Sequence, residues 1–334
     1  MDLALIAKYS AIPFLVSSGG ALLISHMGPK ISLLDVPNER SSHMLPVPRG
    51  GGVGIWLAFL VAGVFFLQDV YFTVVAGSAG FLGLLEDRFA FSSRLRLSVQ
   101  FVLAAFAVLL VKGCPASIAG MALFGFWMVF ITGTANFYNF MDGINGIAGL
   151  TGVVGFALLA LFSLLIAGDF TAALLSLTLL SACAGFLPFN FPGARVFMGD
   201  VGSVLLGFVF ASLVVRLSSD VSIFMCLSMF IGTFYADALL TIYRRQRRRE
   251  NLMAAHRSHL YQYLSNELAV PHWKVSLIYA IVQSIFGLLS VTAYMSGVHW
   301  QIVLFFAFGL LSILTYERIK RLEAVIPKVE KREK

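Results

Sequence analysis

The segment Asn136-Phe137-Tyr138-Asn139-Phe140-Met141-Asp142-Gly143-Ile144-Asn145-Gly146 joins two long apolar runs, 118–138 and 147–167. It gathers three Asn, one Asp and two Gly where one run gives way to the next. Polar groups at the edge of a bilayer are costly unless they face protein, water or a ligand. A plain turn needs one or two such residues. Six of them point to an anion or metal site at a membrane surface. The flanking runs are long and apolar enough to cross a bilayer as helices, and that reading decides the fold.

Working outward, the same alternation recurs along the whole chain. It is 59% hydrophobic and 12% charged, with a mean hydropathy of +0.87. This implies an all-α, polytopic transmembrane helical bundle forming a single integral domain over residues 1–334. Eleven spans are expected, near 4–26, 53–68, 70–86, 97–112, 118–138, 147–167, 171–188, 203–217, 221–243, 274–296 and 299–316. Several are short for a hydrocarbon core of about 30 Å, so tilted, broken or re-entrant segments are expected. The first run lacks a charged leader and a small-residue cleavage site, and is read as a retained helix. Cys114, Cys183 and Cys226 lie far apart, which excludes a CxxC zinc or redox motif.

Charge settles the expected orientation. Numbering the sides alternately, 21 of the 24 Lys and Arg fall on the side that receives the loops after spans 1, 3, 5, 7 and 9 and the C-terminal tail. The opposite side holds Lys8, Lys112 and Arg216. The positive-inside rule makes the rich side cytoplasmic and the N-terminus external. A net charge of +7 distributed in this way marks topology and excludes nucleic-acid binding.

The motifs all lie on that side. After span 1 come Asp35-Val36-Pro37-Asn38-Glu39-Arg40-Ser41-Ser42-His43 and Pro48-Arg49-Gly50-Gly51-Gly52. The glycines would let backbone N–H groups approach a ligand, and the arginines suit phosphate. A basic loop resting on anionic lipid is the plainer alternative. After span 3, Glu86-Asp87 suit a hard cation, or a helix end with a local Asp–Arg pair. Asn139, Asp142 and Asn145 recur at a spacing of three, which shares a helical face. Asp200, in Phe197-Met198-Gly199-Asp200, opens a helix, either as a cap or as a ligand to a metal that bridges a diphosphate. Asn190, Arg195 and Phe197 nearby favour a ligand. Asp237 lies inside span 9, as a functional carboxylate or a partner within the bundle. His256 and His259 share a face and suit phosphate better than zinc.

In this order and on one face, these segments resemble the polyprenyl-phosphate N-acetylhexosamine-1-phosphate transferases of glycosyltransferase family 4. Those include the initiating enzymes of O-antigen and the translocase of peptidoglycan synthesis. The resemblance covers roughly residues 35–265 and is closest to O-antigen-type members, on Pro37-Asn38-Glu39-Arg40-Ser41, Pro48-Arg49-Gly50-Gly51-Gly52, Asn139-Phe140-Met141-Asp142-Gly143 and Phe197-Met198-Gly199-Asp200-Val201-Gly202-Ser203. Glu86-Asp87 replaces the family's paired aspartates, Asn145 stands where many members carry Asp, and His256-Arg257-Ser258-His259 lacks consecutive histidines.

The resemblance implies transfer of a sugar-1-phosphate from a UDP-N-acetylhexosamine to undecaprenyl phosphate, at the cytoplasmic face of a bacterial inner membrane. It implies Mg²⁺, with Mn²⁺ as a substitute, held by Asp200 and Asn139. Asp87, Glu86 and Asp200 are the expected catalytic residues. Asp142, Asn145, Asn190, Phe197, Arg49, Arg195, His256 and His259 are expected to bind the nucleotide sugar. The bilayer is a partner, and a homodimer is compatible with the lipid-facing surface. The rivals are an ion-coupled secondary transporter and a lipid-binding scaffold. The transporter is disfavoured because most acids lie at span ends and no internal repeat is seen. The scaffold would need no Asn/Asp/Gly investment.

Overall fold

In hydrocarbon every backbone N–H and C=O must be paired within its own segment, so the apolar runs fold as helices. The computed structural model describes residues 3–31, 33–37, 42–89, 91–251 and 257–322. Among them are ten helices long and apolar enough to span a bilayer and a shorter one, Val53–Phe66. In chain order these are α1 (Ala7–Lys30), α2 (Val53–Phe66), α3 (Val70–Arg88), α4 (Ser93–Lys112), α5 (Ile118–Phe140), α6 (Ile147–Ala167), α7 (Phe170–Asn190), α8 (Asp200–Leu217) and α9 (Val221–Arg247). A short helix α10 (Leu260–Asn266) precedes α11 (His272–Ser296) and α12 (Val298–Arg321). Each expected span has its helix. At about 1.5 Å per residue, α2 is too short to cross unaided.

One helix forms the centre. Within α8, 89% of the membrane-spanning window is buried by other helices, against 11% in α12, so α8 is the axle and α12 the rim. Small residues let neighbours approach that axle. A Cβ at Gly52 would lie 2.5 Å from the Gly202 Cα, and one at Gly83 would lie 2.3 Å from the Asp200 carbonyl. One at Gly207 would lie 2.7 Å from the Tyr138 Cβ. These contacts bring α2, α3 and α5 onto α8.

The two ends of the bundle differ in character. At one end Lys112 Nζ donates to the Ser218 carbonyl (2.7 Å), and Arg216 meets Asp169 (2.6 Å). Tight links and short loops close it. The other end carries the longer connections, including a two-stranded antiparallel ribbon, β1 (Leu34–Asp35) and β2 (Val47–Pro48), with Leu34 opposite Pro48 and Asp35 opposite Val47.

Candidate active site

The loops after α1, α3, α5, α7 and α9 meet at that second end around a cleft of about 290 Å³. Asp87 comes from the last turn of α3, Asn139 from the last turn of α5, and Asp142 from the bend beyond it. Asn190 ends α7, and Phe197 and Asp200 flank the entry to α8. Arg49 follows β2. These are seven of the twelve residues singled out in the sequence.

The geometry gives each a distinct task. Asp87 is buried, and its Oδ1 and Oδ2 accept from the backbone N–H groups of Asp200 (3.1 Å) and Val201 (3.3 Å). A carboxylate thus seats the positive end of the α8 dipole. Gly199 makes room for it. Its φ is +75°, and a Cβ there would lie 2.5 Å from Asp87 Oδ2. Asp200 Oδ1 accepts from Asn139 Nδ2 (2.8 Å), which also donates to Ser203 Oγ (3.0 Å). The Ser203 hydroxyl already donates to the Gly199 carbonyl (3.0 Å), so Asn139 must present its amide NH₂ to both oxygens. Its carbonyl oxygen is therefore turned elsewhere. That oxygen and Asp200 Oδ2 have no hydrogen-bond partner among the described residues.

Among the described residues, four carboxylates, Asp35, Asp87, Asp142 and Asp200, line the cleft against one arginine, Arg49. Burial, together with the charges of Asp200 and Asp87, holds the Asp142 carboxyl well above the usual carboxylate range. Such a cleft repels an anion unless a cation enters with it. The two unpartnered oxygens are hard donors, of the kind Mg²⁺ takes. Among the described residues no three His, Cys, Asp or Glu form a preassembled ligand set.

Other assignments fall elsewhere. Asn190 lines the cleft, but its amide serves the loops: Oδ1 accepts from Gly146 N–H (2.7 Å) and Nδ2 donates to the Val196 carbonyl (2.9 Å). Glu86 lies beside the cleft, 3.7 Å from Arg96. Asn145 is not among the residues lining the cleft, and its Nδ2 lies 3.5 Å from the Pro192 carbonyl. Arg195 is exposed outside the lining. His259 is buried away from the lining, its Nδ1 3.3 Å from Asp237 Oδ1. His256 and the segment Asn38-Glu39-Arg40-Ser41 lie outside the described residues. Asp237 proves to be an internal hub, accepting from Leu260 N–H (2.8 Å), Tyr261 N–H (3.1 Å) and the Tyr279 hydroxyl (2.7 Å). It anchors the start of α10.

The glycine run corrects an expectation. The N–H of Gly51 donates to the Phe197 carbonyl (2.9 Å) and that of Gly52 to the Met198 carbonyl (2.8 Å), so these groups stitch two loops together and do not cradle a ligand. The sequence reading also passed over Asp35, His43 and Gln262 as site residues, and all three line the cleft. His43 packs edge-on against Phe197, with ring centroids 4.8 Å apart. The ribbon that folds Asp35 and His43 over the cleft has two-residue strands, too short for any readable alternation.

Comparison with known proteins agrees with this architecture. Residues 70–218 match the family model "Glycosyl transferase family 4". The chain is 29% identical over 272 residues to an undecaprenyl-phosphate alpha-N-acetylglucosaminyl 1-phosphate transferase of Thermotoga maritima, covering 81% of this chain and 85% of the relative. It is 27% identical over 325 residues to a decaprenyl-phosphate N-acetylglucosaminephosphotransferase of Mycobacterium tuberculosis, covering 83% and 79%. It is 28% identical over 279 residues to a probable undecaprenyl-phosphate N-acetylglucosaminyl 1-phosphate transferase of Bacillus subtilis, covering 76% of each. With its bundle of spanning helices and an acidic cleft at one end, the chain is similar to the membrane-embedded phosphoglycosyl transferases of glycosyl transferase family 4.

Proposed function

We propose that this transferase moves an N-acetylhexosamine-1-phosphate from a UDP-sugar to undecaprenyl phosphate at the cytoplasmic face of a bacterial inner membrane. The product would initiate a cell-surface polysaccharide of the O-antigen kind. The observation that carries this reading is the cleft at the basic end of the bundle, which four carboxylates and one arginine line among the described residues.

In the proposed reaction an oxygen of the lipid phosphate attacks the β-phosphorus of the UDP-sugar. The bond from that phosphorus to the bridging oxygen breaks, and UMP leaves with that oxygen. A lipid phosphate is already ionised near neutral pH, so transfer is direct and needs no strong base. Catalysis of this kind rests on positioning and charge.

Asp200 Oδ2 and the Asn139 carbonyl oxygen would hold Mg²⁺, or Mn²⁺ in its place. When bound, the cation would offset the charge of the diphosphate. Asp87 keeps the N-terminus of α8, and hence Asp200, facing the cleft. Arg49, with its Nε buried and without a hydrogen-bond partner among the described residues, would meet a phosphate oxygen. Asp142, at the bend after α5, would contact the nucleotide, and Phe197 would pack against it. Asn190 would act as a positioning residue through Gly146 and Val196.

The test incubates purified protein with undecaprenyl phosphate, Mg²⁺ and a panel of UDP-N-acetylhexosamines, measuring UMP and lipid product. Release of UMP only when both substrates are present is expected. Ion-driven uptake by vesicles with no UMP would instead favour the transporter.

A further inference from the structure

A second polar cavity lies at the same end of the bundle and shares no lining residue with the cleft. Its volume is about 120 Å³. Among the described residues, five cationic side chains line it against two carboxylates. Two of the arginines are matched by those acids, Arg245 to Glu250 (3.0 Å) and Arg257 to Glu267 (3.0 Å). Arg244, Arg248 and Lys320 complete the lining and leave it net positive. Lys320 is drawn inward, its Nζ 4.2 Å from the centre of the Tyr263 ring.

Beside this pocket, toward the membrane interior, α9, α11 and α12 enclose an apolar cavity of about 260 Å³. Tyr316 lines both, so the basic pocket and the apolar cavity adjoin. The apolar walls include Ile278 and Leu311, each 51% exposed, which opens the cavity to the lipid-facing surface.

We propose that this corner is a binding site for an anionic phospholipid, its phosphate in the basic pocket and an acyl chain in the apolar cavity. A cationic chamber on top of an apolar one, at a membrane end, complements a molecule that is anionic at one end and greasy at the other. The site is not the acceptor's. Gln262 of α10 lines the catalytic cleft, whereas Tyr263 and Glu267 face the basic pocket. A phosphate seated there stands across α10 from Asp200 and cannot react. The occupant is therefore a lipid that stays.

Native mass spectrometry of the purified full chain tests this, with phosphatidylglycerol, phosphatidylcholine, undecaprenyl phosphate and inorganic phosphate as probes. Phosphatidylglycerol should bind at least about tenfold tighter than phosphatidylcholine. The Arg244→Gln/Arg248→Gln double variant should lose about thirtyfold of that affinity, at roughly 1 kcal/mol per cation. Lys320→Gln, a second variant on another helix, should weaken it too, and the exposed Arg94→Gln should not. Equal affinity for the two phospholipids, or undiminished phosphatidylglycerol binding by the variants that remain folded, would overturn the proposal. So would displacement of phosphatidylglycerol by equimolar undecaprenyl phosphate, which would make the site the acceptor's. Displacement by inorganic phosphate at equal concentration would reduce it to a free anion site and overturn the lipid reading.

Discussion

Asp200 and Asn190 line one cleft, yet their side chains face opposite duties. Asp200 leaves Oδ2 open to the cleft, while both ends of the Asn190 amide are tied to backbone. Their variants should therefore fail differently. Asp200→Asn removes one negative charge and keeps the shape. It should lower turnover about a thousandfold, as loss of several kcal/mol of charge stabilisation requires, with an unchanged thermal midpoint in detergent. Near-normal UMP release by that variant would overturn the cation assignment. Asn190→Ala should act through the fold. It strands the Gly146 N–H and the Val196 carbonyl, at about 1–3 kcal/mol each, so the midpoint should fall together with activity. A fully stable but inactive Asn190→Ala would mean that the amide touches substrate instead.

At the scale of elements, the junction between α3 and α8 sets the site. The Asp87 carboxylate fits against the first turn of α8 only because Gly199 has no side chain and adopts a positive φ. Gly199→Ala adds roughly 1–2 kcal/mol of left-handed strain. It also pushes a methyl group into both Asp87 oxygens. Loss of most transfer activity and a lower thermal midpoint are expected; a variant as active and stable as the parent would show that this junction is not strained. The neighbouring glycine run marks the limit of a local pattern. Gly50-Gly51-Gly52 reads as a ligand cradle because glycine permits close approach. What approaches is the Phe197–Met198 backbone, 146 residues later in the chain, and no local pattern names the partner.

Over the whole molecule, the cleft and the arginine-rich end of α9 share one end, and Cys114 belongs to the other, in the link between α4 and α5. Cys114 is exposed, whereas Cys183 and Cys226 are buried, so the native chain carries its own topological probe. With the N-terminus external, a membrane-impermeant maleimide should label Cys114 in intact spheroplasts and leave it unlabelled in sealed inverted vesicles. The reverse pattern would place the cleft on the outer face and refute the proposed orientation.

The fold class and the order of spans were legible because membrane burial is a one-dimensional constraint. Each run must satisfy its own backbone and match the bilayer, so length and apolarity suffice, and the runs near 118–138 and 147–167 appear as α5 and α6. Loop composition likewise marked Asn139, Asp142 and Asp200, since polar residues at a span end need a partner. Which partner each one finds is a matter of three dimensions. That Asn190 serves Gly146, that His259 turns to Asp237, and that Asp35 and His43 swing over the cleft depend on contacts between distant loops. Hydrogen-bond geometry and close packing choose among those contacts only after the helices have assembled, and a linear sequence carries no signal for it.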